Sequence, residues 1–176
     1  MTGHLTDDVL EPVREGEGER GEGDRPVRLP RTYWCYAPHA TAPEVGDLPA
    51  AKSGAGGGGG VVTVGCLNHF AKVTRETVGM WAEVLKRVAG SRLLLHVPPG
   101  TSRELALRRL GEAGIGAERV AFVPTTNLEG YLAVHQRMDV ALDPFPYVGG
   151  TTTCDALWMG VPVVTLAGGA ELPGTS

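Results

Sequence analysis

The sequence predicts an α/β fold, a doubly wound parallel sheet with helices on both faces. Three observations predict it. From Val61 onward, short apolar runs alternate with stretches of helical periodicity until five strand-type runs have passed. The apolar runs, such as "VVTVGCL" and "SRLLLHV", are nearly continuous, as in strands buried on both sides. The connections are short, and strands separated by helices pair in parallel rather than as hairpins.

The elements follow in order. "VVTVGCL" is the first strand. "TRETVGMWAEVLKRV" is the first helix, with Trp81, Val84, Leu85 and Val88 at i, i+3, i+4 and i+7 on one expected face. "SRLLLHV" is the second strand. "TSRELALRRLGEAG" is the second helix, with a Ser or Thr cap expected at its start and glycine at its end. "RVAFV" is the third strand, "NLEGYLAVHQRM" a weaker third helix, and "DVALDPF" the fourth strand. "TTTCDALWMG" begins a fourth helix, and "VPVVTLAG" is the fifth strand. The chain then ends at "GAELPGTS", so the expected lobe, residues 61–176, is read as truncated at its C-terminus.

What precedes Val61 has another character. Residues 1–26 are polar and glycine-rich, with the run "EGEGERGEGD", and are expected to be a disordered tail. Residues 27–60 hold three clustered aromatics (Tyr33, Trp34, Tyr36), spaced prolines and the run "SGAGGGGG". They are expected to form an extended segment that lays its aromatics on a surface, followed by a flexible spacer. No GK[ST] follows the glycines, which excludes a phosphate loop of that type.

Composition narrows the function classes. A net charge of −4 provides no global basic field for nucleic acid or anionic membrane, and no apolar run approaches a membrane span. The N-terminus lacks the apolar core of a signal peptide. Three widely spaced cysteines, without a CxxC, argue against a disulfide framework or structural zinc and fit a reducing cytoplasm.

Chemistry is expected beyond the carboxyl ends of the strands, where open parallel sheets bind ligands. Two loops stand out there. "DPFPYVGGTTTCDALWMG" follows the fourth strand. Gly149 and Gly150 let backbone approach a ligand, and Thr151, Thr152 and Thr153 enter a helix whose first turn attracts phosphate. Asp155 lies where a carboxylate could hold ribose hydroxyls. Thr152-x-x-Asp155 is equally a capping-box pattern, so residue chemistry leaves an anion cradle and a capped helix both open. "GCLNHFAKVT" follows the first strand and offers Lys72, whose ammonium could neutralise a phosphate, and His69 three residues earlier. No two histidines have metal-ligand spacing, and no G-x-G-x-x-G follows the first strand.

The blocks "NHFAKVTRETVGMWAEVLKRVAGSRLLL" and "MDVALDPFPYVGGTTTCDALWMGVPVVTLAG" resemble the C-terminal catalytic lobe of the O-linked N-acetylglucosamine transferase and SPINDLY family. The resemblance runs from about Val27 to Gly169, with the second block the more specific; Asn68, Lys72 and the Trp81 helix support the first. It implies the Rossmann-like C-terminal lobe of a GT-B glycosyltransferase, with the nucleotide-sugar donor between two lobes. It implies inverting transfer without cofactor or metal, from UDP-GlcNAc to Ser or Thr of protein acceptors. By position, it makes Lys72 the catalytic group that contacts the diphosphate and stabilises the leaving group. Thr151 and Thr152 would hold phosphate oxygens, and Asp155 the ribose. His69 falls where the animal enzymes have a glutamine near the diphosphate. Gly150 falls where they have a histidine, and Tyr131 where many members have a histidine beside the nucleoside. The family's N-terminal lobe and tetratricopeptide repeats are not found in this sequence, so both count as implied partners. Two alternatives stand beside this reading. One is GDP-fucose as donor; the other is a catalytically dead nucleotide-binding fragment. An unrelated flavodoxin-like domain fits the alternation but not the threonine loop.

Overall fold

The computed structural model describes residues 5–6, 27–28, 34–53, 60–124 and 126–166. The chain divides into two units, Met1–Ala37 with Gly168–Ser176, and Pro38–Ala167. In the first unit, Leu5–Thr6 and Val27–Arg28 pair as short parallel strands. The rest of the expected tail, the centre of the glycine spacer and the C-terminal "GAELPGTS" lie outside the described residues. Of the aromatic cluster, Tyr33 also lies outside them, Trp34 is exposed and Tyr36 is half-buried.

The second unit carries the parallel sheet. Its strands are β1 (Thr63–Cys66), β2 (Arg92–His96), β3 (Val120–Val123), β4 (Val140–Leu142) and β5 (Val163–Val164). Its helices are α1 (Arg75–Arg87), α2 (Thr101–Glu112), α3 (Leu128–Val134) and α4 (Thr151–Trp158). All pairings are parallel, in the order β3-β2-β1-β4-β5. The expected α/β architecture is therefore present. The strand order reverses direction between β1 and β4, and such a switch point opens a crevice at the carboxyl edge.

The two faces are filled separately, as the period-2 geometry of a strand requires. Leu93 and Leu95 of β2 join Trp81 and Leu85 of α1 and Ala106 and Leu110 of α2 in one core. Leu94, between them in sequence, joins Val134 of α3 and Ala156 of α4 in the other. Gly65 of β1 is small because a Cβ there would come within 2.5 Å of Met138 Sδ.

Some local expectations need correction. The buried face of α1 is Thr77, Val78, Trp81, Ala82 and Leu85, whereas Val84 and Val88 are exposed. The apolar stripe is narrower than the spacing suggests: Val84 lies on its flank, and Val88 is already the C-cap. Neither Thr101 nor Ser102 caps α2; its N-cap is Gly100, with φ 103° and no side-chain cap bond. Gly114 does end that region, with φ 83°. Within the expected extended segment, Pro49–Ser53 forms one short helix. Asp139 anchors it at the sheet's amino edge: Oδ1 accepts the Ala50 N–H at 2.7 Å and Oδ2 the Thr63 N–H at 2.8 Å.

Candidate functional site

The two loops singled out from sequence leave adjacent strands, β1 and β4, so the topology brings them to the same crevice. Hydrogen bonds join them there. The Thr152 hydroxyl donates to Asn68 Oδ1 at 2.8 Å. Asn68 Nδ2 lies 3.4 Å from Asp143 Oδ1, which also accepts the Gly149 N–H at 2.7 Å. Lys72 Nζ, half-buried, donates to the Val148 carbonyl at 3.2 Å. An ammonium has three donors, and this bond uses one.

The first turn of α1 holds the same loop from outside. Thr74 caps α1 by accepting the Thr77 N–H, and its hydroxyl also donates to the Phe145 carbonyl at 3.1 Å. The Thr77 hydroxyl donates to that carbonyl at 2.6 Å and accepts the Phe145 N–H at 3.0 Å. Both backbone groups of Phe145 are thus satisfied by one buried side chain. The Phe145–Pro146 peptide is cis.

The capping-box alternative fails. The N-cap of α4 is Gly150, with no side-chain cap bond, so Thr152 sits inside the helix rather than at its cap. Asp155 turns elsewhere: its Oδ2 accepts the Tyr131 hydroxyl at 3.2 Å. Gly149 is needed for close approach, because a Cβ there would meet Thr152 Oγ1 at 2.5 Å and Thr153 Oγ1 at 2.7 Å. Thr151 is exposed at the mouth of the helix, with Gly150 beside it. His69 is exposed on the rim, and its Nδ1 accepts the Ala71 N–H at 3.3 Å, starting the 3-10 turn Phe70–Lys72. The structure thus gathers Lys72, Gly150, Thr151 and Thr152 at one edge, ties Asp155 to Tyr131, and gives His69 a local capping bond.

Asp143 and Asn68 organise this edge, yet residue chemistry alone assigned neither a role. Asn68 finds its partners 75 and 84 residues away in sequence, so no local pattern marks it. Asp143 bonds Gly149 within its own loop but meets Asn68 only across the sheet. Burial raises the Asp143 carboxyl above its ordinary range, opposed by the Gly149 amide, Thr165, the Lys72 charge and Asn68. Burial also pushes the Cys66 thiol up to about 12, which leaves it an unreactive core residue. The Thr153 hydroxyl oxygen is buried without a hydrogen-bond partner among the described residues.

Beside the anion-type edge lies a pocket of about 260 Å³ at the ends of β1, β2 and β3. Leu67, Val123, Val134 and the Tyr131 ring give it apolar walls, and His96 and Asn127 add polar groups. An apolar recess with few polar groups, next to an amide-rich helix start, has the shape demands of a ring system joined to an anion. Among the described residues no group of three or more His, Cys, Asp or Glu could hold a metal ion, and no helix is long and apolar enough to cross a membrane.

The profile of glycosyl transferase family 41 matches residues 58–172. The chain belongs to that family. It is 38% identical over 146 residues to the probable UDP-N-acetylglucosamine–peptide N-acetylglucosaminyltransferase SPINDLY of Oryza sativa subsp. japonica, covering 81% of this chain and 15% of that protein. Its identity to the SPINDLY protein of Arabidopsis thaliana is 34% over 168 residues, covering 93% of this chain and 17% of the relative. A solved structure of a mutant Thermobaculum terrenum O-GlcNAc transferase aligns with a TM-score of 0.71 and 31% identity, over 98% of this chain and 31% of that one. This family 41 chain therefore spans about a sixth of the length of its curated relatives. The sheet order and the match to an O-GlcNAc transferase agree with the Rossmann-like lobe that the resemblance implies.

Proposed function

We propose that this chain is the donor-binding part of a protein O-glycosyltransferase that transfers N-acetylglucosamine from UDP-GlcNAc to Ser or Thr with inversion, needing neither cofactor nor metal. The observation that carries the reading is the joined edge: Thr152 bonded to Asn68, Asp143 bonded to Gly149, and Lys72 against Val148. The relatives named as peptide N-acetylglucosaminyltransferases supply the choice of donor and acceptor.

Nucleotide-sugar transfer places growing negative charge on the departing diphosphate. The start of α4 presents amide N–H groups and the positive end of the helix dipole to it. The Lys72 ammonium adds a full charge from the β1 side. Held in place before the reaction, these groups stabilise the leaving group without reorganising. Thr151 and Thr152 hold phosphate oxygens through their first-turn amide N–H groups, the Thr152 hydroxyl being spent on Asn68. Asp155 meets the ribose, and the 260 Å³ pocket receives the base. His69 and Gly150 flank the diphosphate. The protein acceptor, its catalytic base, the N-terminal lobe and the tetratricopeptide repeats belong to the larger enzyme, and the chain alone is expected to transfer no sugar. The setting proposed is cytoplasmic, in keeping with three free cysteines.

Calorimetry with UDP and GDP tests the reading. UDP binding more tightly supports UDP-GlcNAc, and GDP binding more tightly favours the fucose donor instead. Lys72→Ala is expected to weaken the preferred diphosphate by about tenfold or more, the worth of one charge-assisted contact, while leaving the fold intact. Unchanged affinity would remove Lys72 from the site.

A further inference from the structure

The pocket and the anion-type edge meet at one side chain. Tyr131 presents its ring to the pocket, alongside Leu67, Val123 and Val134. Its hydroxyl reaches across to α4 and donates to Asp155 Oδ2 at 3.2 Å. The ring is itself held from behind. His135, one helical turn on, packs edge-to-face against it at 5.1 Å and 90°. His135 is buried, and its Nδ1 lies 3.2 Å from the Leu132 carbonyl, so the imidazole that fixes the ring has little freedom to turn. Asn127 caps α3 through the Gly130 N–H, which sets the start of the helix that bears Tyr131.

Even the one-methylene side chain of an aspartate has several rotamers, and holding a ribose requires one of them. A phenol donor from a second, rigid helix selects that one. We propose that Tyr131 is a positioning residue: its hydroxyl orients Asp155 toward the ribose of a nucleoside diphosphate while its ring walls the base pocket. Tyr131 thereby sets how strongly the site demands a ribose over a deoxy sugar. The inference rests on the nucleotide reading above and adds to it a residue whose effect is confined to the nucleoside half of the ligand. The diphosphate half is held by other groups, Lys72 and the start of α4, and does not pass through Tyr131.

The test uses the full chain, with calorimetry of the tighter of UDP and GDP, of its 2′,3′-dideoxy analogue, and of inorganic pyrophosphate. Tyr131→Phe keeps the ring and removes only the hydroxyl. It is expected to weaken the ribonucleotide about fivefold to tenfold, to leave pyrophosphate affinity unchanged, and to shrink the ribo-to-dideoxy preference toward that of Asp155→Asn. Combining the two substitutions is expected to cost little more than Asp155→Asn alone. If wild-type protein binds neither nucleotide, the nucleotide reading falls and this inference falls with it. Should wild type bind and Tyr131→Phe keep the full ribo-to-dideoxy preference, this inference alone is overturned. An equal loss of pyrophosphate binding would make Tyr131 a packing residue, which also overturns it.

Discussion

Strand β4 is flanked by an aspartate at each end, Asp139 before Val140 and Asp143 after Leu142, and the two serve opposite edges of the sheet. Asp139 is buried at 6% exposure, and its two oxygens take the backbone amides of Ala50 and Thr63. Asp143 is half-buried, and one oxygen gathers the Gly149 amide and the Asn68 side chain at the crevice. A carboxylate that takes a backbone donor on each oxygen closes an edge. One that holds a loop in place through side chains and a glycine amide shapes an opening. The same residue type, three strand residues apart, thus separates the stabilising end of the sheet from the working end.

The largest effect should come from Asp139→Ala. It strands two backbone donors, at about 1–3 kcal/mol each, so a loss of about 3 kcal/mol in denaturant unfolding is expected. Nucleotide affinity of the folded protein should stay within about twofold; a larger change would break the division between the two ends. Gly149→Ala acts at the other end. Its Cβ meets the Thr152 and Thr153 hydroxyls and comes within 3.0 Å of Asp143 Oδ1. Such overpacking costs about 1–3 kcal/mol. Because it falls on the loop, it should be read mainly in calorimetry, as about a tenfold loss of affinity. An unfolding shift as large as that of Asp139→Ala, with affinity intact, would contradict the assignment.

The smallest effect should come from Asp143→Asn. Burial raises the Asp143 carboxyl above its ordinary value of 3.8, so folding favours the protonated form. Its contribution to stability is full below that ordinary value and is lost as pH rises through the raised folded one. The unfolding free energy, measured from about pH 3.5 upward, should therefore fall less steeply in Asp143→Asn than in wild type. Parallel curves would show that Asp143 titrates as an exposed carboxyl does.

Periodicity carried most of the fold. The strands and helices from Val61 to Leu166 could be read because each apolar run or stripe reflects its own burial, a local property. What could not be read depends on distant partners. The Thr-x-x-Asp pattern at Thr152 resembles a cap in isolation, but Asn68 draws the hydroxyl away and Tyr131 takes the carboxylate. The Thr101–Ser102 pair looks like a helix start, but the turn at Gly100 already makes it. Pro49–Ser53 is too short for its periodicity to register, although the proline at its first position favours helix. At the site, glycines, threonines and Lys72 were legible as types of chemistry. The Asn68 and Asp143 contacts that join the two loops exist only once β1 and β4 lie side by side.

Thr77 also sets a timescale. Surface loops ordinarily rearrange in nanoseconds to microseconds, independently of the core beneath them. The loop after β4 is bonded through Phe145 to a side chain that is fully buried in the first turn of α1. To swing away it must break bonds that water cannot readily replace, or wait until the start of α1 lifts. Its excursions are thereby slaved to those of a core helix, and the loop keeps the slow clock of the interior while lying at the rim.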